Sequence, residues 1–283
     1  MRNKRAWFAF PYVIWMALFV VVPIVIMAVY ALTAADPITN AAYPTLGNFT
    51  GMGLYLNVFL RSFWLAILAT LVCLLIGYPV SYWMAKEGPR FQRLAMALIM
   101  LPMWMNFLLR TYSWMSILEN NGLLNQLLRA TGLLDLLGAD HIQMIGTPGA
   151  VVLGMVYNYL PFMILPIYSV IVKLDGSLVE AARDLGADGV RVFRRVIFPL
   201  SLPGILSGVT MVFVPSVSTF AISNLLGGGN QMMLGDLIEL QFLGGAYNPH
   251  LGAAISMVMM VIVVVCMVVM NHFGEGEEQA VML

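Results

Sequence analysis

The sequence predicts an all-α membrane protein with six transmembrane helices, and three observations carry that prediction. The chain is 61% hydrophobic and only 10% charged, with a mean hydropathy of +0.88, too apolar for an ordinary water-soluble domain. Six apolar runs reach the ~20 residues a helix needs to cross the hydrocarbon of a bilayer. They fall at about 7–32, 63–85, 94–116, 149–171, 202–225 and 251–271. The third observation is that basic residues gather in alternate connections between these runs.

The first run, from Trp7 to Tyr30, follows Arg2, Lys4 and Arg5. It exceeds the roughly 7–15 apolar residues of a cleavable signal core, so it reads as a retained span. The connection after the second run holds Lys86, Arg90 and Arg93; that after the fourth holds Lys173, Arg183, Arg191, Arg194 and Arg195. With the N-terminal three these make eleven basic residues on one side, against Arg61, Arg110 and Arg129 on the other. The positive-inside rule then puts both termini in the cytoplasm. The tail departs from the pattern, with Glu275, Glu277 and Glu278, but acids carry little topological weight. The expected organisation is an N-terminal segment, first span and outer loop over 1–62, a core of five spans over 63–272 with a cytoplasmic loop at 172–200, and a cytoplasmic tail over 273–283.

Two outer connections carry structure of their own. Over 121–137, Leu123, Leu124, Leu127 and Leu128 recur at helical spacing beside Asn125 and Arg129. This is a short helix, either interfacial or packed on the spans, and the packed form is preferred. After the fifth run Gly227, Gly228 and Gly229 break the helix before MMLGDLIELQF, and Gly244, Gly245 and Pro249 close that segment, which reads as a short helix dipping back at the outer mouth. Trp7, Tyr12, Trp64, Tyr82 and Trp83 fit an interfacial aromatic belt, and the methionines of the sixth run fit gap-filling. Cys73 and Cys266 lie inside apolar runs as small hydrophobes.

The chemistry of catalysis is missing. There is no G-x-x-x-x-G-K-[ST] phosphate loop, no G-x-S-x-G elbow and no carboxylate pair at mid-membrane depth. His141, His250 and His272 have no metal-ligand spacing, so neither a cofactor nor a metal is expected. A formal charge of +0 offers nothing to nucleic acid. Ion-coupled carriers need intramembrane ionisable groups, and few are present.

One charged stretch stands between the fourth and fifth runs: EAARDLGADGVRVFRRVIFPL, Glu180 to Leu200. Ser177 and Glu180 have capping-box spacing, Gly186 is placed to end a first helix, and Asp188 to cap a second. In the second helix Val190, Phe193 and Val196 or Ile197 form an apolar stripe, with Arg191, Arg194 and Arg195 facing elsewhere. A rigid, solvent-facing helix pair with small Ala181 and Ala182 invites close approach by a partner.

The skeleton Glu180, Ala181, Ala182, Gly186, Val196, Phe198 and Pro199 resembles the E-A-A, three, G, nine, I-x-L-P signature of permease subunits in binding-protein-dependent ABC importers, with Val196 and Phe198 replacing Ile and Leu. In that family this loop docks on the ATPase, which implies a docking role for Glu180, Ala181, Ala182, Gly186 and Pro199. Further stretches, including LPMWMNFLLRTYSW (101–114), VYNYLPFMILPIYSV (156–170) and NLLGGGNQMMLGDLIELQFL (224–243), are similar to spermidine/putrescine permeases. Relatives handling opines, phosphonates or ferric iron share much of the pattern. A self-sufficient channel or carrier is the alternative of another class. The resemblance implies a type I ABC importer permease fold in the bacterial inner membrane. It also implies a second homologous permease, two ATPase subunits and an extracytoplasmic substrate-binding protein as partners. For a polycation, aromatic and amide groups near the spans are the candidate path: Trp104, Asn106, Tyr112, Tyr157, Asn158 and Tyr159, with Asp236 and Glu239 as acids on one face of a short helix at the outer mouth.

Overall fold

Apolar runs become helices because hydrocarbon offers nothing to a free N–H or C=O, so each segment must satisfy its own backbone. The computed structural model describes residues 10–35 and 42–281. The basic cluster Arg2, Lys4 and Arg5, with Trp7, lies outside the described residues. In chain order the helices are α1, Phe10–Ala31; α2, Gly47–Lys86; α3, Pro89–Trp104; α4, Phe107–Leu118; α5, Leu123–Ala130; and α6, Leu133–Leu137. They continue as α7, Pro148–Ile171; α8, Gly176–Asp184; α9, Gly189–Ser218; α10, Ala221–Gly227; α11, Leu234–Leu243; and α12, Pro249–Val281. Among the described residues five helices are long and apolar enough to cross a membrane, or six when the bent pair Pro89–Trp104 and Phe107–Ala130 is counted as one span.

Two expected spans are not continuous. The third run, expected as one helix over 94–116, breaks between Trp104 and Phe107 with a bend of 91°. Pro102 sits in a 3-10 turn at the end of α3, and the Asn106 side chain accepts from the N–H groups of Leu108 and Leu109, starting a new helix instead of extending the old one. Such a cap competes with helix continuation because the side-chain oxygen takes the place of a backbone carbonyl. The fifth run, expected over 202–225, begins at Gly189 and stops at Ser218, where Thr219 turns extended; Ala221–Gly227 is a separate helix.

The chain divides into two compact units. One comprises Met1–Val58 and Leu237–Val264. Within it a two-stranded antiparallel ribbon follows α1, with Thr33–Ala35 (β1) paired to Ala42–Pro44 (β2); the sequence reading did not anticipate it. Ala31, Ala253 and Ala254 are buried together under Met27, Phe49, Met52 and Met257. His250 stacks on Tyr30, with ring centroids 5.2 Å apart, and its Nδ1 lies 3.0 Å from the Tyr30 carbonyl.

The other unit comprises Phe59–Asp236 and Val265–Leu283. Its densest contact is α7 against α9. Gly204 and Gly208, four apart on α9, let the backbones close: a Cβ on Gly204 would sit 2.9 Å from the Pro166 carbonyl, and one on Gly208 2.8 Å from the Met163 sulfur. Small residues at this spacing are the membrane solution to helix association, because apolar burial gives no driving force in lipid. Toward α2, the buried Ser81 hydroxyl reaches the Gly77 and Ile164 carbonyls.

Candidate functional site

The exposed helix pair is built by local rules. α8 starts at Asp175, whose carboxylate accepts from the Ser177 N–H at 3.0 Å. That bond, with the Ser177 hydroxyl second, holds the Asp175 carboxyl below its ordinary value of 3.8. The capping box expected of Ser177 and Glu180 is therefore displaced: Asp175 is the cap, and Ser177 lies inside the first turn. An aspartate at that position accepts as well as a serine would and adds charge opposite the helix dipole.

The C-terminal end of α8 is a Schellman closure. Gly186 adopts φ +81°, its N–H bonds the Arg183 carbonyl at 2.8 Å, and the Ala187 N–H bonds the Ala182 carbonyl at 3.0 Å. The left-handed residue reverses the chain, and Gly takes it without a Cβ penalty. Asp188 then caps α9 by accepting from the Arg191 N–H at 2.8 Å, as its position predicts.

The apolar stripe of α9 differs from expectation. Val190 is 67% exposed, whereas Val192 and Ile197 are buried. A π turn with i→i+5 bonding follows over Phe193–Ile197 and shifts the stripe's phase beyond Val192. Glu180 and Ala181 are exposed and Ala182 half-buried. Leu185, 89% exposed, projects beside a cavity of about 270 Å³ lined by Ala182, Gly186, Arg191, Arg195 and Val196. Chemically this is a small-residue notch with a protruding leucine and two guanidinium groups. Pro199 lies inside α9 directly after the π turn, where its missing N–H removes one helical hydrogen bond to that turn.

The second set of candidates divides. Trp104, 84% exposed, Tyr112 and Asn106 are all exposed around the α3–α4 break, and Asn106 spends its side-chain oxygen on the α4 cap. Tyr157 meets Trp114 edge-on at 5.3 Å. Asn158 is buried, its Nδ2 donating to the Gly154 carbonyl at 2.9 Å. The Tyr159 hydroxyl points to the Pro215 carbonyl at 3.5 Å. The solvated acidic face expected of Asp236 and Glu239 does not form at Asp236: that residue is buried, and its Oδ2 accepts from the Met233 N–H at 2.8 Å. Glu239 is half-buried. The segment leading into α11 is pinned on α2 by Leu234 N–H to Ser62 Oγ at 2.8 Å and Arg61 Nη1 to the Asn230 carbonyl at 3.0 Å.

Sequence reasoning passed over three groups. Gly204 and Gly208 were legible as a small-xxx-small spacing. Phe220, 49% exposed beside the α9–α10 break, had no signal. Arg110, only 8% exposed, was counted for topology and not for its place inside the bundle.

Five to six apolar helices of membrane-spanning length, with a capped, exposed helix pair between Pro148–Ile171 and Gly189–Ser218, define a membrane permease. The chain belongs to the family of binding-protein-dependent transport system inner membrane components, whose pattern matches residues 77–275. It is 39% identical over 251 residues to the spermidine/putrescine transport system permease protein PotB of Escherichia coli (strain K12), covering 88% of this chain and 90% of that one. The PotB of Haemophilus influenzae is likewise 39% identical, over 245 residues, covering 86% and 84%. Among solved structures, a chain of a bacterial ABC transporter involved in import of the acidic polysaccharide alginate is similar with a TM-score of 0.73 at 17% identity, covering 96% of each chain. The fold is that of type I ABC importer permeases.

Proposed function

We propose that this chain is the membrane permease subunit of an ATP-driven polyamine importer in the bacterial inner membrane. In this reading it works with a second homologous permease, two ATPase subunits and an extracytoplasmic binding protein, and both termini are cytoplasmic. The observation that supports it best is the exposed pair α8–α9. Its caps at Asp175, Gly186 and Asp188 keep it rigid without help from the bundle, and its notch at Ala182 and Gly186 is open to a partner. Rigidity matters because a lever that flexes cannot carry an ATPase movement into the spans. Glu180, Ala181, Ala182, Gly186 and Pro199 are the residues assigned to docking.

The polyamine assignment rests on the cargo named for the PotB relatives and agrees with the aromatic groups at the α3–α4 break. Trp104 and Tyr112 offer faces to an ammonium, worth roughly 0.5–2 kcal/mol each, and Tyr157, Tyr159 and Glu239 are the other groups assigned to the path; Asn158, buried with its Nδ2 on the Gly154 carbonyl, is assigned no cargo contact. Asp236 contributes by holding the α11 turn. The test is uptake of labelled spermidine and putrescine by proteoliposomes holding the complete complex. ATP-dependent accumulation is expected; an importer that ignores both amines and takes an anion or zwitterion would overturn the cargo and leave the permease role standing.

A further inference from the structure

Arg110 is a cation inside the helical bundle whose Nε and Nη1 are buried without a hydrogen-bond partner, and Asn158 has a buried, unpartnered Oδ1. Their exposures are 8% and 3%. An unsatisfied guanidinium away from water is costly, and in a membrane protein such a group marks function more often than packing.

Both residues stand on helices that pack against the short helix α10. On α4, Arg110 shares the buried face with Phe107 and Trp114, which pack against the cluster containing Ile222 and Leu226 of α10. On α7, Asn158 lies one turn from Gly154, where a Cβ would meet Leu226 at 2.5 Å and Ile222 at 2.8 Å. The helices α4, α7 and α10 pack mutually. The Trp114–Tyr157 ring contact also sets Arg110 and Asn158 within about a helical turn of the same level.

α10 begins at a break. Thr219 turns extended at φ −63°, ψ 141°, and Phe220 enters α10 with no side-chain cap. Helix ends leave carbonyls on the C-terminal side and N–H groups on the N-terminal side. Arg110 can only donate, which suits the carbonyls ending α9; the Asn158 Oδ1 can only accept, which suits the N–H groups opening α10. The unpartnered side-chain atoms match the helix ends in sign, and the Pro215 carbonyl near the end of α9 already draws side-chain donors, from Tyr159 and Ser218.

We propose that Arg110 and Asn158 are positioning residues of the transport cycle, which hold the α9–α10 break by hydrogen bonds in the conformation alternate to this one. The inference rests on the transport reading. A broken span supplies an element with two discrete arrangements, as alternating access requires. In this arrangement Arg110 Nε and Nη1 and Asn158 Oδ1 stand without partners; in the other they close on the break, so the pair biases the equilibrium between states without touching cargo.

The experiment uses the complete complex in proteoliposomes with labelled spermidine, comparing wild type with Arg110→Met, Arg110→Lys, Asn158→Leu and Asn158→Asp. Arg110→Met and Asn158→Leu are expected to lower the maximal uptake rate at least tenfold with the half-saturating concentration within twofold. Arg110→Lys and Asn158→Asp, which keep the donor and the acceptor, should recover a third or more of the wild-type rate. The double variant Arg110→Met/Asn158→Leu should lose no more than the worse single one. A wild-type maximal rate in either apolar variant, or equal loss in the apolar and conservative variants, overturns the proposal. If Arg110→Met fails to assemble, the Asn158 pair decides the matter alone. Failure of the wild-type complex to accumulate spermidine counts against the cargo assignment instead, a result distinguishable from either.

Discussion

The Tyr78 hydroxyl and the Ser201 Oγ lie 3.0 Å apart, a buried hydrogen bond that ties α2 to α9. Around it Phe193 meets Tyr78 and Tyr82 edge-on, at 5.8 and 5.5 Å, and Lys86 stands 4.1 Å over the Tyr82 ring. The π turn that carries Phe193 is thus the root of the exposed helix pair, where α9 meets α2 through these rings.

Removing the hydroxyl and removing the ring should differ. Tyr78→Phe deletes one hydrogen bond, worth about 0.6 kcal/mol in a membrane bundle, and should leave uptake within about twofold of wild type. Phe193→Ala opens a cavity at the root, at a cost of about 3–5 kcal/mol, and should uncouple ATP hydrolysis from uptake. ATPase and transport rates measured on the same proteoliposomes separate the two; equal effects would deny the root its role.

Gly186→Val forces a β-branched residue to φ +81° with open space around it, so strain and not collision is the penalty. Left-handed backbone costs about 1–2 kcal/mol for an L-residue and less for Asn. Cargo-stimulated ATPase activity should fall about tenfold in Gly186→Val and less in Gly186→Asn, with the detergent melting temperature of the bundle unchanged. Full stimulation in the valine variant would show that the Schellman turn is dispensable for docking.

The two α9 glycines should rank by what a Cβ meets. At Gly204 the obstacle is backbone, the Pro166 carbonyl at 2.9 Å and the Ile167 Cα at 3.1 Å; at Gly208 the nearest atom is the Met163 sulfur, which can move. Gly204→Ala should therefore lower the melting temperature more than Gly208→Ala, and overpacking of this kind costs about 1–3 kcal/mol. Size-exclusion after heating reads the order directly, and the reverse order would contradict the packing account.

Asp175 predicts an absence of pH response. Its carboxyl is held below 3.8 by the Ser177 N–H, so the cap is fully present above that value and fades only as pH falls through the lower folded one. Coupled ATPase activity between about pH 5.5 and 8 should show no inflection from this group. A step in that window abolished by Asp175→Asn would refute it.

Trp104→Ala should lower spermidine uptake by roughly 2- to 30-fold, the span of one cation–π contact, while the complex still assembles. Because Trp104 is 84% exposed, little packing is lost with it. Uptake and co-purification with the ATPase together decide it: unchanged uptake removes Trp104 from the path.

Much of the architecture was legible in the residues. Apolar length located the spans, since the bilayer dictates how many residues a helix needs, and single residues set the ends of the exposed pair, since Gly186 and Asp188 act through their own backbone neighbours. What the sequence could not decide depended on competition between local and distant partners. Asn106 capping α4 instead of lining an uninterrupted third span, Val190 standing out and Val192 in ahead of the π turn, and Asp236 turning inward to the Met233 N–H are each small free-energy choices settled by packing. The burial of Arg110 is the clearest case: its charge was visible in the chain, but whether that charge met water, a carboxylate or the inside of a bundle is a property of the packing around it, and only the tertiary structure determines that environment.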